Sequence, residues 1–169
     1  MFSGLLMTQP LFLSFPALII FAGSYDIFSK TISNRLCLAI VLAFLPAAAS
    51  IGMGTVEIAS HASCALVMLC AGFALFSAGW IGGGDAKQFA AAALWFGWGE
   101  IADYAAVSAM FGGALALAVL ALRLAALSLP LAVIFPLPRP ELPYGVALAL
   151  AALFVYPHGP WAAAAGLVM

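Results

Sequence analysis

The chain has 169 residues, of which 67% are hydrophobic and only 7% are charged. Soluble domains carry about 25% charged residues, so the composition excludes an ordinary soluble domain. It predicts an all-α fold, a polytopic bundle of membrane helices with the lipid bilayer as a partner. A formal net charge of −1 gives no reason to expect nucleic acid as a partner. The length suits one domain, and we take residues 1–169 as a single membrane domain.

Polar residues, glycines and prolines divide the chain into six apolar stretches. Most of these stretches are close in length to the roughly 20 residues that a helix needs to cross a bilayer. No charged residue precedes Asp26, so we expect the first stretch to be retained rather than cleaved as a signal peptide. Residues 124–138 contain three prolines and are predicted to form an interfacial or re-entrant segment. The predicted spans are 5–25, 36–54, 57–79, 84–99, 104–122 and 142–168, the last interrupted at 156–161.

Threading these spans alternately through the membrane places every basic residue on the same side. The positive-inside rule makes that side cytoplasmic, and the N-terminus is then extracytoplasmic. A wrong number of spans would scatter the basic residues over both faces, so their clustering supports the assignment. The basic residues are Lys30, Arg35, Lys87, Arg123 and Arg139.

Two acids, Asp26 and Asp85, fall at the cytoplasmic ends of predicted spans one and four. Taken singly, Asp26 could be a solvated loop acid and Asp85 an ordinary helix N-cap. However, three glycines at 82–84 precede Asp85, and glycine lets another chain segment approach closely. A helix break at membrane depth is tolerated where it is buried in protein or lines a watery cavity. Together these features predict a functional site, because acids near a bilayer are costly.

Two facing carboxylates suit the hydrolysis of a peptide bond. At short separation they cannot both be ionised and share one proton. The ionised member draws a proton from a water held between them, while the protonated member donates to the scissile carbonyl oxygen. No covalent intermediate is needed.

Other peptidase chemistries lack their residues. The sequence contains no HExxH and no GxSxG motif, which zinc and serine hydrolases of those classes require. His61 and His158 are expected to be structural or exposed. Cys37, Cys64 and Cys70 lie in apolar runs without a CxxC pair, as small buried hydrophobic residues do. We expect no metal and no cofactor.

The two aspartates lie at opposite kinds of helix end. Asp85 begins a span, where free amides and the helix dipole favour a carboxylate. Asp26 ends a span, where free carbonyls disfavour one, so we expect the shared proton on Asp26 and the charge on Asp85. Lys87 does not face Asp85 on a helix and is expected to reach head groups or a neighbouring helix end.

Three motifs carry a resemblance to a known family. GGGDAK (residues 82–87) is similar to the GxGDxK motif of the type IV prepilin peptidases, membrane aspartyl proteases of the GxGD group. YDIFSKTISN (residues 25–34) resembles their first motif, and LPYGVAL (residues 142–148) their late Pro-Phe/Tyr-Gly motif. The resemblance covers most of the chain, in the right order. The matching positions are Asp26, Ile32, Asn34, Gly82, Gly84, Asp85, Lys87, Pro143, Tyr144 and Gly145.

This resemblance implies roles for the motif residues. Asp26 and Asp85 would be the catalytic pair, Gly82 and Gly84 would shape the turn, and Lys87 is a motif residue. The residues expected at the substrate site or in a structural role are Ile32, Asn34, Pro143, Tyr144 and Gly145.

The resemblance also implies a substrate, a small prepilin with a short basic leader followed by a hydrophobic helix. The leader would be cut at the cytoplasmic face of the cytoplasmic (inner) membrane. Longer family members carry a cytosolic insert with paired CxxC motifs, which this chain lacks. The chain therefore looks like the short six-span form of Flp/Tad-type pilus systems, and no N-methyltransferase activity is expected.

Alternative interpretations remain open at the level of sequence. A small transporter or channel subunit would place polar groups near the membrane midplane, whereas the charges here gather at span ends. A non-enzymatic membrane protein would leave the GGGD break and the second acid unexplained. Within the peptidase class, an archaeal preflagellin peptidase stands beside a bacterial prepilin peptidase.

Overall fold

The structure is a computed structural model that describes residues 3–127 and 142–161. Within these ranges every regular element is helical, which confirms the all-α prediction. The elements are α1 (Ser3–Ser29), α2 (Asn34–Ser50), α3 (Thr55–Ser77), α4 (Gly83–Leu127), α5 (Tyr144–Val155) and a 3₁₀ turn at Tyr156–His158.

Three of the described helices are long and apolar enough to cross a bilayer. These segments are Leu11–Ser29, Thr55–Ser77 and Gly83–Ala125, and the two shorter helices α2 and α5 are also apolar. Large apolar side chains such as Phe28 and Leu117 are exposed on the outside of the bundle. A surface of this kind suits contact with lipid, and the chain is an integral membrane protein.

Helix α4 reverses direction partway along its length. Gly97 has φ 58° and ψ −167°, in the left-handed region that favours glycine. The rings of Phe89 and Tyr104, on either side of this break, stack with centroids 4.8 Å apart. In a straight helix these two residues would be about 22 Å apart. The second arm (98–127) therefore folds back against the first arm (83–96).

The break at Gly97 is enclosed by a side chain from α3. A Cβ at this position would lie 2.8–3.0 Å from three ring atoms of His61. The same imidazole donates from Nδ1 to the carbonyl of Leu94, at 2.8 Å. His61 therefore has a structural place at the α4 reversal, as the sequence predicted.

An aromatic core joins the helices at the end of the bundle that contains Gly97. Phe15 of α1 stacks on Trp95 of α4, with ring centroids 4.8 Å apart. Trp95 donates from Nε1 to the carbonyl of Ile40, at 3.0 Å, and Trp161 donates to the carbonyl of Trp95. Because each buried indole N–H has an acceptor, the rings can pack without an unpaired donor. Phe15 and Asp26 lie about 16 Å apart along α1, so this core is remote from the aspartates.

Small residues bring neighbouring helices close together nearer to Asp26 and Asp85. A Cβ on Gly23 of α1 would lie 2.7 Å from the Cβ of Ala149 in α5, and one on Gly72 of α3 would lie 3.0 Å from that of Ala86. Helices in membranes commonly associate through such small residues. The first contact holds α5 beside the last part of α1, and the second holds α3 beside the beginning of α4.

The sequence predictions for the C-terminal region meet the structure in part. The expected interruption at 156–161 is present, since α5 ends at Val155 and a 3₁₀ turn follows. Most of the predicted interfacial segment at 124–138 lies outside the described residues. So does the end of the predicted sixth span, beyond residue 161.

Candidate active site

The structure brings the two predicted aspartates to one cavity. Asp26 lies in the last turn of α1 and Asp85 in the first turn of α4. Both line a cavity of about 520 Å³, together with the glycines at 82–84. Asp26 is 5% exposed, and Asp85 is half-buried. The two carboxylates are near enough for the charge of Asp26 to act on Asp85.

The late motif holds the carboxylate of Asp26. The backbone N–H of Gly145, at the start of α5, donates to Asp26 Oδ2 at 3.0 Å. A Cβ on Gly145 would lie 2.8 Å from that oxygen and 3.0 Å from Ile32 Cδ1. Glycine is therefore the residue that lets the α5 backbone approach both side chains, which explains why this motif meets the first one.

The glycine run holds Asp85 and packs against the first motif. A Cβ on Gly82 would lie 2.7 Å from Asp85 Oδ2, and the Gly82 carbonyl accepts from the N–H of Ala86 at 3.1 Å. A Cβ on Gly84 would lie 3.1 Å from the Cβ of Ile32. The side chain of Ile32 therefore packs against both Gly84 and Gly145.

Lys87 contacts the beginning of α2. Its Nζ donates to Oδ1 of Asn34 at 3.0 Å, at an exposed position. The expectation that Lys87 reaches a neighbouring helix end is met. The contact also joins two motif residues that are distant in the sequence, because α2 and α4 begin side by side.

The sequence argument that separated the two aspartates by helix end left out one contact of Asp26. It considered Asp26 only as the end of α1, where carbonyls are free. In the structure Asp26 accepts from an amide at the N-terminus of α5, and Asp85 lies at the N-terminus of α4. Both carboxylates therefore occupy helix N-termini, which favour negative charge. The helix ends give no reason to place the charge on Asp85 alone.

A residue that the sequence interpretation missed, Gln88, reaches the same region. It is fully buried, and its Nε2 donates to the carbonyl of Gly145 at 3.3 Å. The available signal was its spacing, one helical turn after Asp85 and therefore on the same face. A polar residue inside an otherwise apolar run was a second signal.

Asp85 also borders a smaller, apolar cavity. This space of about 280 Å³ is lined by Tyr144 of the late motif, Phe89 and Leu148, among other apolar side chains. Asp85 therefore lies between a polar cavity that contains Asp26 and an apolar space on the other side. The arrangement suits a site that binds a chain with both polar and apolar segments.

The remaining candidate ligands lie elsewhere. His158 donates from Nδ1 to the carbonyl of Phe154 at 3.0 Å, and His61 is used at the α4 reversal. Cys37 and Cys64 are buried, whereas Cys70 is exposed. In the part of the chain that the structure describes, no group of three or more His, Cys, Asp or Glu residues could hold a metal ion.

The chain matches the model of a known protein family. The type IV leader peptidase family matches residues 13–122, which is well over half of the chain. The matched region includes Asp26, Asp85 and the glycine run, and it ends before the late motif. No curated protein and no solved structure matches the chain.

Proposed function

The chain belongs to the type IV leader peptidase family, a family of aspartic-type prepilin peptidases, and from this we propose that Asp26 and Asp85 are its catalytic pair. The observation that carries the proposal is their shared cavity of about 520 Å³. The Asp26 carboxylate is also held by a backbone hydrogen bond from Gly145, and the Asp85 carboxylate packs against Gly82. In this proposal residues 1–169 are a single peptidase domain.

The two carboxylates would act by general acid–base catalysis. One, ionised, takes a proton from a water molecule as that water attacks the scissile carbonyl carbon. The other, protonated, donates to the carbonyl oxygen, which gives a neutral tetrahedral intermediate. As the C–N bond breaks, the carboxyl that took the water proton gives it to the leaving amine, and the other carboxylate takes a proton from a hydroxyl of the intermediate, so the pair again holds one proton.

The proposed substrate is a prepilin of the Flp type. Its hydrophobic helix would sit in the membrane and its short basic leader in the cytoplasm, with the scissile bond at the depth of Asp26 and Asp85. A basic leader suits a cavity that contains two carboxylates. The neighbouring apolar cavity beside Asp85 offers space for an apolar side chain near the cleavage point.

The proposed topology has six spans and an active site that faces the cytoplasm from the inner membrane. The reversal at Gly97 supports it, because it divides α4 into two antiparallel arms. Lys30 and Lys87 line the cavity, and Arg35 is exposed at the beginning of α2. Basic residues at this end of the bundle favour the cytoplasmic side, and the N-terminus would then be extracytoplasmic.

We expect peptidase activity without N-methyltransferase activity. Helix α1 ends at Ser29 and α2 begins at Asn34. This short link leaves no room there for the cytosolic insert with CxxC motifs that longer family members carry. Mass spectrometry of the mature pilin should find its new N-terminus unmethylated, and a methylated N-terminus made by this chain alone would contradict the expectation.

The proposal is tested by co-expression with an Flp-type prepilin in membranes, with leader loss followed on a gel. We expect cleavage by the parent chain and none by Asp26→Asn or Asp85→Asn at equal membrane levels. Asp103→Asn is the matched control, because Asp103 borders a separate cavity with Phe154 and His158. Cleavage that survives either catalytic substitution would contradict the pair, and a parent that cleaves only a preflagellin would change the substrate.

A further inference from the structure

Gln88 has a buried amide side chain, and the stability of the fold alone does not explain why it is there. It has 0% exposure in a run of buried alanines, at 86 and 90–93. Its Nε2 donates to Gly145, but its Oε1 has no hydrogen-bond partner among the described residues. A buried acceptor without a partner costs free energy. An apolar residue of the same size would avoid that cost, so the amide points to a role in the site.

The contacts of Gln88 connect the two aspartates through Gly145. Asp85 and Gln88 lie one turn apart on the same face of α4. Gln88 donates to the carbonyl of Gly145, and the N–H of Gly145 donates to Asp26. Gly145 of α5 therefore bonds to α4 through its carbonyl oxygen and to α1 through its backbone N–H.

We propose that Gln88 is a positioning residue for peptide cleavage, which fixes Gly145 and thereby the carboxylate of Asp26 relative to Asp85. Gln88 touches no reacting atom in this arrangement. It sets where the start of α5 lies against α4, and the tight packing of Gly145 on Asp26 transmits that position to the carboxylate. The inference rests on the proposed function of Asp26 and Asp85.

Two substitutions separate positioning from packing. Gln88→Met keeps the volume approximately, removes the donor and removes the unpartnered acceptor. Gln88→Glu keeps the shape, and its carboxyl group can donate to the Gly145 carbonyl only when it is protonated. The assay is cleavage of a prepilin by purified enzyme in lipid, with kcat and KM measured across pH and thermal unfolding measured alongside.

We expect Gln88→Met to unfold at the parent's temperature or above it. Its kcat should fall about 10- to 100-fold, since a small displacement of a catalytic group is costly, while KM stays within about twofold. For Gln88→Glu, kcat relative to the parent should rise as pH falls, because protonation restores the donor. Dividing by the parent's kcat at each pH corrects for the titration of Asp26, Asp85 and Tyr144 that the two enzymes share.

Several outcomes would overturn the proposal. One is a Gln88→Met enzyme with the parent's kcat, and another is a Gln88→Glu ratio that does not change with pH. The second result decides the matter even if Gln88→Met fails to accumulate. An Asp26→Asn enzyme measured in parallel distinguishes a failure of the catalytic pair from a failure of the role proposed for Gln88. If it is active, the catalytic pair itself fails, and if it is inactive while Gln88→Met is normal, only the role of Gln88 fails.

Discussion

The two ends of the helical bundle are built in different ways. At the end that contains Trp95 and Trp161, large buried rings stack on one another and their N–H groups bond to backbone carbonyls. The end that contains Asp26 and Asp85 has glycines and backbone amides around a cavity of about 520 Å³ instead of stacked rings. The first end is closed and tightly packed, and the second is partly open.

This difference separates stability from activity within one fold. Helices in a membrane associate through close packing rather than through the hydrophobic effect, and most ring contacts lie at the aromatic end. The position of the carboxylates depends instead on a few contacts at Gly82, Gly145 and Gln88. Substitutions at the aromatic end should therefore lower stability, whereas substitutions at the aspartate end should lower the rate of cleavage.

Outside the catalytic pair, the largest effect is expected for Gly145→Ala. The added Cβ would lie 2.8 Å from Asp26 Oδ2 and 3.0 Å from Ile32 Cδ1, so the carboxylate or α5 must move. A displacement of this size should lower kcat about 100-fold, with a small change in the unfolding temperature. Gly113→Ala is the control, because nothing lies within 4 Å of a Cβ there. Equal activity of the two variants would contradict the role of this contact.

The next effect is expected at the other end, for Gly97→Ala. At φ 58° and ψ −167° the backbone lies in a region that is essentially restricted to glycine, so alanine is strained by about 1–3 kcal/mol, and its Cβ would also meet the His61 ring. We expect a lower unfolding temperature in detergent and unchanged kcat per folded molecule. Gly99→Ala, where a Cβ meets nothing within 4 Å, should show neither effect. A Gly97→Ala enzyme as stable as Gly99→Ala would show that the α4 reversal tolerates a side chain.

The smallest effect is expected for the bridge between Lys87 and Asn34. This hydrogen bond is exposed, and its loss should cost about 1 kcal/mol or less. Asn34→Ala and Lys87→Met should each reduce cleavage by a few-fold. The double variant should be no worse than the single ones, because both remove the same contact. Multiplying effects would mean that Lys87 has a separate role, for example toward the substrate.

Much of the site could be predicted because its residues lie at helix ends marked by motifs. The spacing of Asp26 and the glycine run before Asp85 indicated two acids at one depth, and the structure places both on one cavity. The late motif could be recognised from its amino-acid sequence. Its contact with Asp26 could not, because it joins residues that are far apart in the sequence.

Other features could not be predicted, for physical reasons. Membrane helices are apolar all round, so no amphipathic stripe shows which face is buried, and Gln88 gave no sign of its partner. The charge expected on Asp85 stays a prediction, and its argument from helix ends did not include the N-terminus of α5, which donates to Asp26. The sequence predicted that one span ends at residue 99 and the next begins at residue 104, whereas the chain reverses earlier, at Gly97.

The central claim is that Asp26 and Asp85 act as one catalytic unit. The most direct measurement is kcat of purified enzyme in lipid for Asp26→Asn, Asp85→Asn and the double variant, with a single prepilin substrate. Because groups that act as a unit are not additive, we predict that each single variant is as inactive as the double variant, at the uncatalysed background. A single variant with measurable turnover that the second substitution then lowers further would contradict the account.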